Sequence, residues 1–315
     1  MAISPEGDGD VFPMEGMHHY DRAVQGSLAS WFRTHFLFRN TFHNLWNSEL
    51  VLEASAAPIS GSASTAFEHQ TILRQYGTAF FLAAAGLDLG LRPVFLGEAV
   101  LERIRPGQVV QFSDGSDAVV DDFQDASSPT NSMGQPNTTS GPALFVEQQE
   151  DTIQGEYSNE TKAALVTFNS GGAGAFVSRF ATRDFSKIGW IDVTLGKVSS
   201  GQSSLSGQLR VGLQLGGQQA FADVEIGSAL LGARGGLSLR IPDSPLSTGT
   251  LPHEPSRPNF VPHTIRVPTS CLRKAGQIVD PSSQVTGVAI LQPTGLPAPQ
   301  LGDFYGVVVD DFAIH

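Results

Sequence analysis

Cysteine is nearly missing from this 315-residue chain, in which Cys271 stands alone. An intramolecular disulfide cannot form, and a cysteine-built zinc cluster is excluded with it. A lone thiol just after Val267 and Pro268 reads as a small apolar filler, and it leaves the redox compartment undetermined. Positive charge is scarce as well: 19 Lys and Arg face 31 Asp and Glu, for a formal net charge of −12. Nothing basic clusters, so no nucleic-acid partner is expected; an acidic surface chiefly favours solubility. Long apolar runs are absent too. The longest, Ala79 to Leu87, falls far short of the roughly 20 residues that span a bilayer, so no membrane partner is expected. Met1 to Asp8 shows neither the basic nor the apolar region of a secretory signal. The chain as written is expected to be soluble, with its compartment undetermined.

What is present points to β-structure. Hydrophobic residues make up 40% and charged residues only 16%, while Gly (34) and Pro (19) are plentiful. That mixture suits many short strands and turns rather than a helical bundle. Two halves differ in periodicity. In the first, Gly16 to Leu28 reads as a short helix and the apolar, aromatic run Trp31 to Arg39 as a buried strand. Apolar residues at Phe67, Ile72, Leu73, Tyr76, Phe80, Phe81 and Leu82 predict a helix over Ala66 to Ala85, stopped by Gly86. A second short helix is predicted over Phe95 to Arg103. After that, helical spacing gives way to strand-like runs: 163–168, 175–180, 189–195, 208–215, 219–226, 237–241, 263–267, 285–291 and 304–314. Asp125 to Gly141 and Pro242 to Pro258 read as long polar loops. The expected organisation is a first segment over 1–107, a linker over 108–117 and an antiparallel β-sandwich over 118–315.

One pentapeptide occurs twice. Val119-Val120-Asp121-Asp122-Phe123 opens the second half and Val308-Val309-Asp310-Asp311-Phe312 closes it. The two copies are either independent strand ends or neighbouring antiparallel strands whose carboxylates share a cation. Like charges facing each other across strands are destabilising unless neutralised, and Ca²⁺ takes carboxylate oxygens readily. Asp122 and Asp310 are the first candidates for a structural Ca²⁺ site, with Asp125 completing the oxygen shell.

Val120 to Asp125 followed by Thr130-Asn131-Ser132-Met133-Gly134 resembles the opening of a galactose-binding-like jelly roll, as in carbohydrate-binding modules. Later landmarks keep the order of that family: Ala163 to Phe168 before the glycine-rich Ser170 to Gly174, then Phe185 to Val193, Leu209 to Gln214, His263 to Pro268 and Tyr305 to Phe312. The resemblance implies a jelly-roll β-sandwich with a glycan as partner, held by aromatics on its concave face. Most aromatics here sit among apolar neighbours and read as core; Tyr157 and Phe260 fall in loops.

In the first half, Leu37 to Glu49, containing His43-Asn44-Leu45-Trp46-Asn47, resembles the segment after the last core strand of α/β-hydrolases related to chlorophyllases and platelet-activating-factor acetylhydrolases. Gly7-Asp8-Gly9-Asp10-Val11 resembles the preceding acid loop, and the helix around His69 to Phe80 resembles the one that follows. The resemblance implies His43 as general base and Asp8 as its orienting acid, with Asp10 as second choice. It departs where Asn40-Thr41 replace Gly-Ala and Trp46 replaces a Phe. The elbow motif G-x-S-x-G is absent; Gly61-Ser62-Ala63-Ser64-Thr65 and Gly201-Gln202-Ser203-Ser204-Leu205 do not complete it. Nor does any HExxH-type spacing make His18, His19, His35 or His69 a metal set. The expectation is a mainly β chain: an incomplete α/β-hydrolase segment joined to a jelly roll. It would be the C-terminal fragment of a serine esterase, inactive alone on its ester substrate, with the missing hydrolase portion as a partner. The rival expectation is a non-catalytic carbohydrate-binding or assembly module.

Overall fold

The computed structural model describes residues 1–7, 32–42, 44–46, 64–99, 101, 108–115, 117–123, 129–141, 143–149, 162–168, 173–197, 209–216, 220–225, 263–292 and 305–315. The described residues form two compact units, one up to residue 115 and one from Asp117 onward. No described helix is long and apolar enough to cross a membrane.

The first unit is a three-stranded sheet with a helix. Strand β1 (Ala2–Gly7) runs parallel to β2 (Arg33–Phe42), and β3 (Gln108–Ser113) pairs with β2 in antiparallel fashion. The residues expected as a linker, 108–117, thus include a strand. Residues Phe36 and Phe38 on one face of β2, and His35 and Leu37 on the other, are all buried. This strand is therefore covered on both sides, as its continuous apolar run requires. Helix α1 (Ala66–Ala84) starts at Thr65, whose hydroxyl accepts from Glu68 N while the Glu68 carboxylate accepts from Thr65 N, a reciprocal cap that satisfies two end groups. Its buried stripe is His69, Ile72, Tyr76, Ala79 and Ala83, the three-and-four spacing of a one-sided helix. Gly86 follows at φ +70, where a side chain would be strained. Tyr76 meets Phe36 and Phe38 edge-on at 4.9 and 5.0 Å between ring centroids. The second helix is a single turn, Arg92–Phe95; of the helix predicted over 95–103, residues 96–99 form a turn and bend, and residues 100, 102 and 103 lie outside the described residues. Pro93 suits a helix start, and Gly97 at φ +71 ends the segment.

The second unit is an antiparallel β-sandwich. Its strands are β4 (Ala118–Asp121), β5 (Asn137–Ser140), β6 (Ala143–Gln149), β7 (Lys162–Phe168), β8 (Ala175–Asp184), β9 (Trp190–Lys197), β10 (Arg210–Leu215), β11 (Ala220–Glu225), β12 (His263–Pro268), β13 (Arg273–Lys274), β14 (Gln277–Ile278), β15 (Gln284–Leu291) and β16 (Tyr305–Ile314). A seven-stranded sheet has the order β14-β13-β11-β10-β15-β8-β5. The facing sheet has the order β12-β9-β16-β7-β6, and β4 pairs with β16. Between them lies one core in which Phe176, Phe180, Leu213 and Ile290 from the first sheet meet Val166, Val193, Leu195, Val309 and Phe312 from the second. Alternation along each strand sends every second residue inward. On the outer face of the smaller sheet, Arg266 of β12 forks onto Asp192 of β9, with Nε to Oδ1 at 2.8 Å and Nη2 to Oδ2 at 2.5 Å, and lies over the Trp190 ring. The expected polar loop over 125–141 contains β5. The expected strand over 237–241 lies outside the described residues.

Candidate functional site

Two places in the sandwich carry polar groups beyond what packing needs, and a third, in the first unit, is the strand pair that precedes the expected acid and base in sequence. The first is the face of the seven-stranded sheet that points away from the core. On β10, Val211, Leu213 and Leu215 belong to the core, so Arg210, Gly212 and Gln214 point outward. Register then sets neighbours in rows. Gln214 stands between Phe221 of β11 and Gly287 of β15, and Gly287 faces Arg179 of β8. The next row runs Arg273, Asp223, Gly212, Ala289, Val177, Thr138. Ala175, Val177, Ala289 and Leu291 form a small second apolar cluster here, with Phe221 packed against it.

Polar chemistry borders that cluster. Arg210 clasps Asp223, with Nε and Nη2 lying 2.6 and 2.5 Å from Oδ2. Burial pushes the Asp223 carboxyl up, and the adjoining Arg210 guanidinium opposes that shift. The Thr286 hydroxyl donates to Gln214 Oε1 at 3.2 Å. The Arg179 Nε–H is buried and has no hydrogen-bond partner among the described residues. Gly212 fits because a Cβ there would come within 2.2 Å of Ala222 O. Periodicity does not mark any of these residues as a site. Their shared face emerges only from strand order.

The second place is the entrance strand of the sandwich. β4 does pair with β16 in antiparallel fashion, with Asp121 opposite Phe312. Asp121 is fully buried. Its Oδ1 accepts from Phe123 N at 3.1 Å, and its Oδ2 accepts from Asn137 Nδ2 at 2.7 Å and from the Ser178 hydroxyl at 3.3 Å. Asn137 Oδ1 is buried without a hydrogen-bond partner among the described residues. Asp122 instead accepts from the Ser132 hydroxyl at 2.7 Å. Asp310 sits at the irregularity between Val309 and Asp311, which pair with Leu195 and Thr194 of β9. Asp125 lies outside the described residues. The network's other members, Asn131, Asn137 and Ser178, were not expected. Asn131 holds the turn before β5, accepting from Met133 N and Gln135 N, a role for which Asn is well suited.

The third place is the carboxyl end of the parallel pair in the first unit. Asp8 and His43 lie outside the described residues, as does Asp10. The residues just before them, Gly7 and Phe42, are direct partners across β1 and β2. In sheets with parallel strands, ligands gather at this end. Tyr157 and Phe260, the loop aromatics, also lie outside the described residues.

Neither a protein-family model nor a curated protein sequence matches the chain. Solved structures with some likeness include the family 11 carbohydrate-binding module of a Clostridium thermocellum cellulosomal cellulase: 12% identity, TM-score 0.35, 63% of this chain and 94% of that one. A family 11 carbohydrate-binding module from Clostridium thermocellum in complex with a β-1,3-1,4-mixed-linked tetrasaccharide gives 13% identity and TM-score 0.35, over 63% of this chain and 94% of that one. The CBM22-1 xylan-binding domain from Paenibacillus barcinonensis Xyn10C gives 11% identity and TM-score 0.32, over the same shares, 63% and 94%. The sandwich is established by its own strand pairings, to which TM-scores this low add no argument.

Proposed function

We propose that the β-sandwich binds a polysaccharide along the outward face of its seven-stranded sheet. The observation that carries this is the row Phe221, Gln214, Gly287, Arg179, which crosses four strands, a span of about 14 Å at ordinary strand spacing. Sugars offer an apolar ring face and a rim of hydroxyls. The row pairs the half-buried Phe221 and Arg179 with the amide of Gln214, a residue 8% exposed, beside the Arg210–Asp223 pair; an aromatic, an amide and a guanidinium can together meet both surfaces. Gly287 keeps the middle of the row low. Mixed-linkage β-glucan and xylan are suitable first probes. Calorimetry with each should give saturable binding by the full chain, and Phe221→Ala should weaken it about tenfold, ~1.4 kcal/mol. Binding equal in parent and variant would remove the sheet face from consideration.

A second reading concerns the first unit, and the pairing of Gly7 with Phe42 favours it. Asp8 and His43 are of the types that form an acid-and-base relay, in the order acid then base. In this reading the unit supplies the relay of an esterase whose nucleophile comes from outside this sequence. A His–Asp pair without a nucleophile forms no acyl-enzyme, so the chain should not turn over short nitrophenyl esters. Turnover abolished by His43→Ala would overturn the reading by revealing a nucleophile within the chain. The rival, an assembly module without chemistry, predicts that His43→Ala changes nothing even when a complementing hydrolase portion is supplied.

A further inference from the structure

The buried polar atoms of the first unit that have no hydrogen-bond partner among the described residues include the hydroxyl of Ser64, a residue 3% exposed, and the indole N–H of the partly buried Trp46. They belong to segments that meet at the first turn of α1. Trp46 stands edge-on to His69, with ring centroids 4.9 Å apart. His69 Nδ1 lies 2.8 Å from the Thr65 carbonyl oxygen, and Ser64 is the residue before Thr65. Neither group is needed to close the helix, because Thr65 and Glu68 already cap it reciprocally. A buried donor without a partner is costly, so two of them at one helical turn call for an explanation that packing does not provide.

We propose that Ser64 Oγ and Trp46 Nε1 form a notch that takes the carbonyl oxygen of a neutral ester or amide. The indole N–H can only donate, and the hydroxyl can donate as well. Their complement is therefore an oxygen acceptor. A carboxylate would also meet the charge of Glu68, whose Oε2 lies 2.7 Å from Thr65 N at the same turn, whereas a neutral carbonyl avoids that repulsion. The notch is well placed for a ligand. Trp46 ends the short turn Asn44–Trp46, which follows closely on the carboxyl end of β2. It rests on Ser64 and Trp46 alone and does not require the Asp8–His43 relay.

The test is a titration of the full chain carrying ¹⁵N-labelled tryptophan, with the Trp46 indole resonance assigned from Trp46→Phe. Ethyl acetate is the neutral probe and sodium acetate the charged one. The Trp46 signal should move saturably with ethyl acetate and at least about tenfold more weakly with acetate. Ser64→Ala should weaken the ethyl acetate response about tenfold while melting no lower than the parent, since it removes a hydroxyl that has no partner. The absence of a saturable shift with either probe would overturn the proposal. So would an equal response in Ser64→Ala, or a lowered melting temperature for that variant, which would make the hydroxyl a structural group. A stronger response to acetate would overturn the assignment to a neutral carbonyl.

Discussion

Acidification should weaken the first unit through one residue, His35. It lies fully buried on β2, with Nδ1 3.1 Å from Gln111 Oε1 on the neighbouring β3. Burial lowers its pKa from the ordinary 6.5 to about 4, against a smaller upward pull from the Gln111 hydrogen bond. In the unfolded chain the imidazole regains its ordinary value. Between about pH 6.5 and 4 the unfolded state therefore binds a proton that the folded state does not. Stability must fall as pH falls across that window, by ~1.4 kcal/mol per unit where the difference is complete. Over the whole window the loss is about 3 kcal/mol, a large part of the 5–15 kcal/mol typical of a domain.

The measurement is urea unfolding of the full chain at several pH values from 7.5 to 4.5, for the parent and for His35→Gln. The other titratable groups are common to both proteins. The difference in slope isolates His35. Above pH 7 the two curves should run parallel. Below pH 6 the parent should lose stability faster by roughly 1 kcal/mol per unit. Parallel curves throughout would refute the reasoning and would mean that His35 is hydrated or already protonated in the folded state.

Two further outcomes concern the sandwich. Gly212→Ala should lower the urea midpoint clearly, by the equivalent of about 1–3 kcal/mol or more, because the new Cβ would lie 2.2 Å from Ala222 O and 2.7 Å from Asp223 Cα; an unchanged midpoint would show that β10 and β11 can part freely. A Ca²⁺ held between the first and last strands remains a proposal, with Asp122, Asp310 and Asp125 as the expected ligands. The melting temperature should then rise from chelator to millimolar Ca²⁺ and less in Mg²⁺, and coincident midpoints in all three would sink that site.

Much of the architecture is legible in the residues. The aromatic run before Phe38 and the apolar recurrence from Phe67 to Leu82 mark β2 and α1, although of those helix residues only Ile72 and Tyr76 belong to the buried stripe, while Phe67, Leu73 and Phe81 are exposed. Most strands of the sandwich are likewise visible as short apolar runs between turns. What escapes notice is structure held by polar groups. β3 carries Gln111 into a fully buried position opposite His35, so its pattern resembles a linker. β5, Asn137-Thr138-Thr139-Ser140, looks like loop because Asn137 is anchored by Asp121 and not by apolar contact. The candidate sheet face is harder still. Phe221 and Gln214 sit on consecutive strands, but Arg179 is 35 residues before Gln214 (214 − 179), and only the order β11-β10-β15-β8 brings the three into one row.

The repeated pentapeptide shows how a pattern can be informative for a reason other than the first one it suggests. Its two acidic residues invite a reading about charge, but the spacing of its apolar residues is the firmer constraint. Val120 and Phe123 are both in the core, and so are Val309 and Phe312. Residues three apart cannot both point inward from a regular strand, whose side chains alternate. Each copy must therefore break regularity, and each does so differently. On β16 the pairing with β9 shifts between Val309 and Asp311, which has the effect of a bulge. After β4 the chain turns through Phe123 at φ 50, a rare conformation for a bulky residue, held there by Asp121 Oδ1 on Phe123 N. Both devices deliver a phenylalanine to the same place, with the Phe123 and Phe312 rings 5.9 Å apart and Phe176 within 6.2 Å of each. Asp121 is thus buried because the turn needs its carboxylate, whatever else binds nearby. Removing that carboxylate would release the turn and the ring cluster together, so loss of stability in an Asp121 variant would not by itself count in favour of a bound cation.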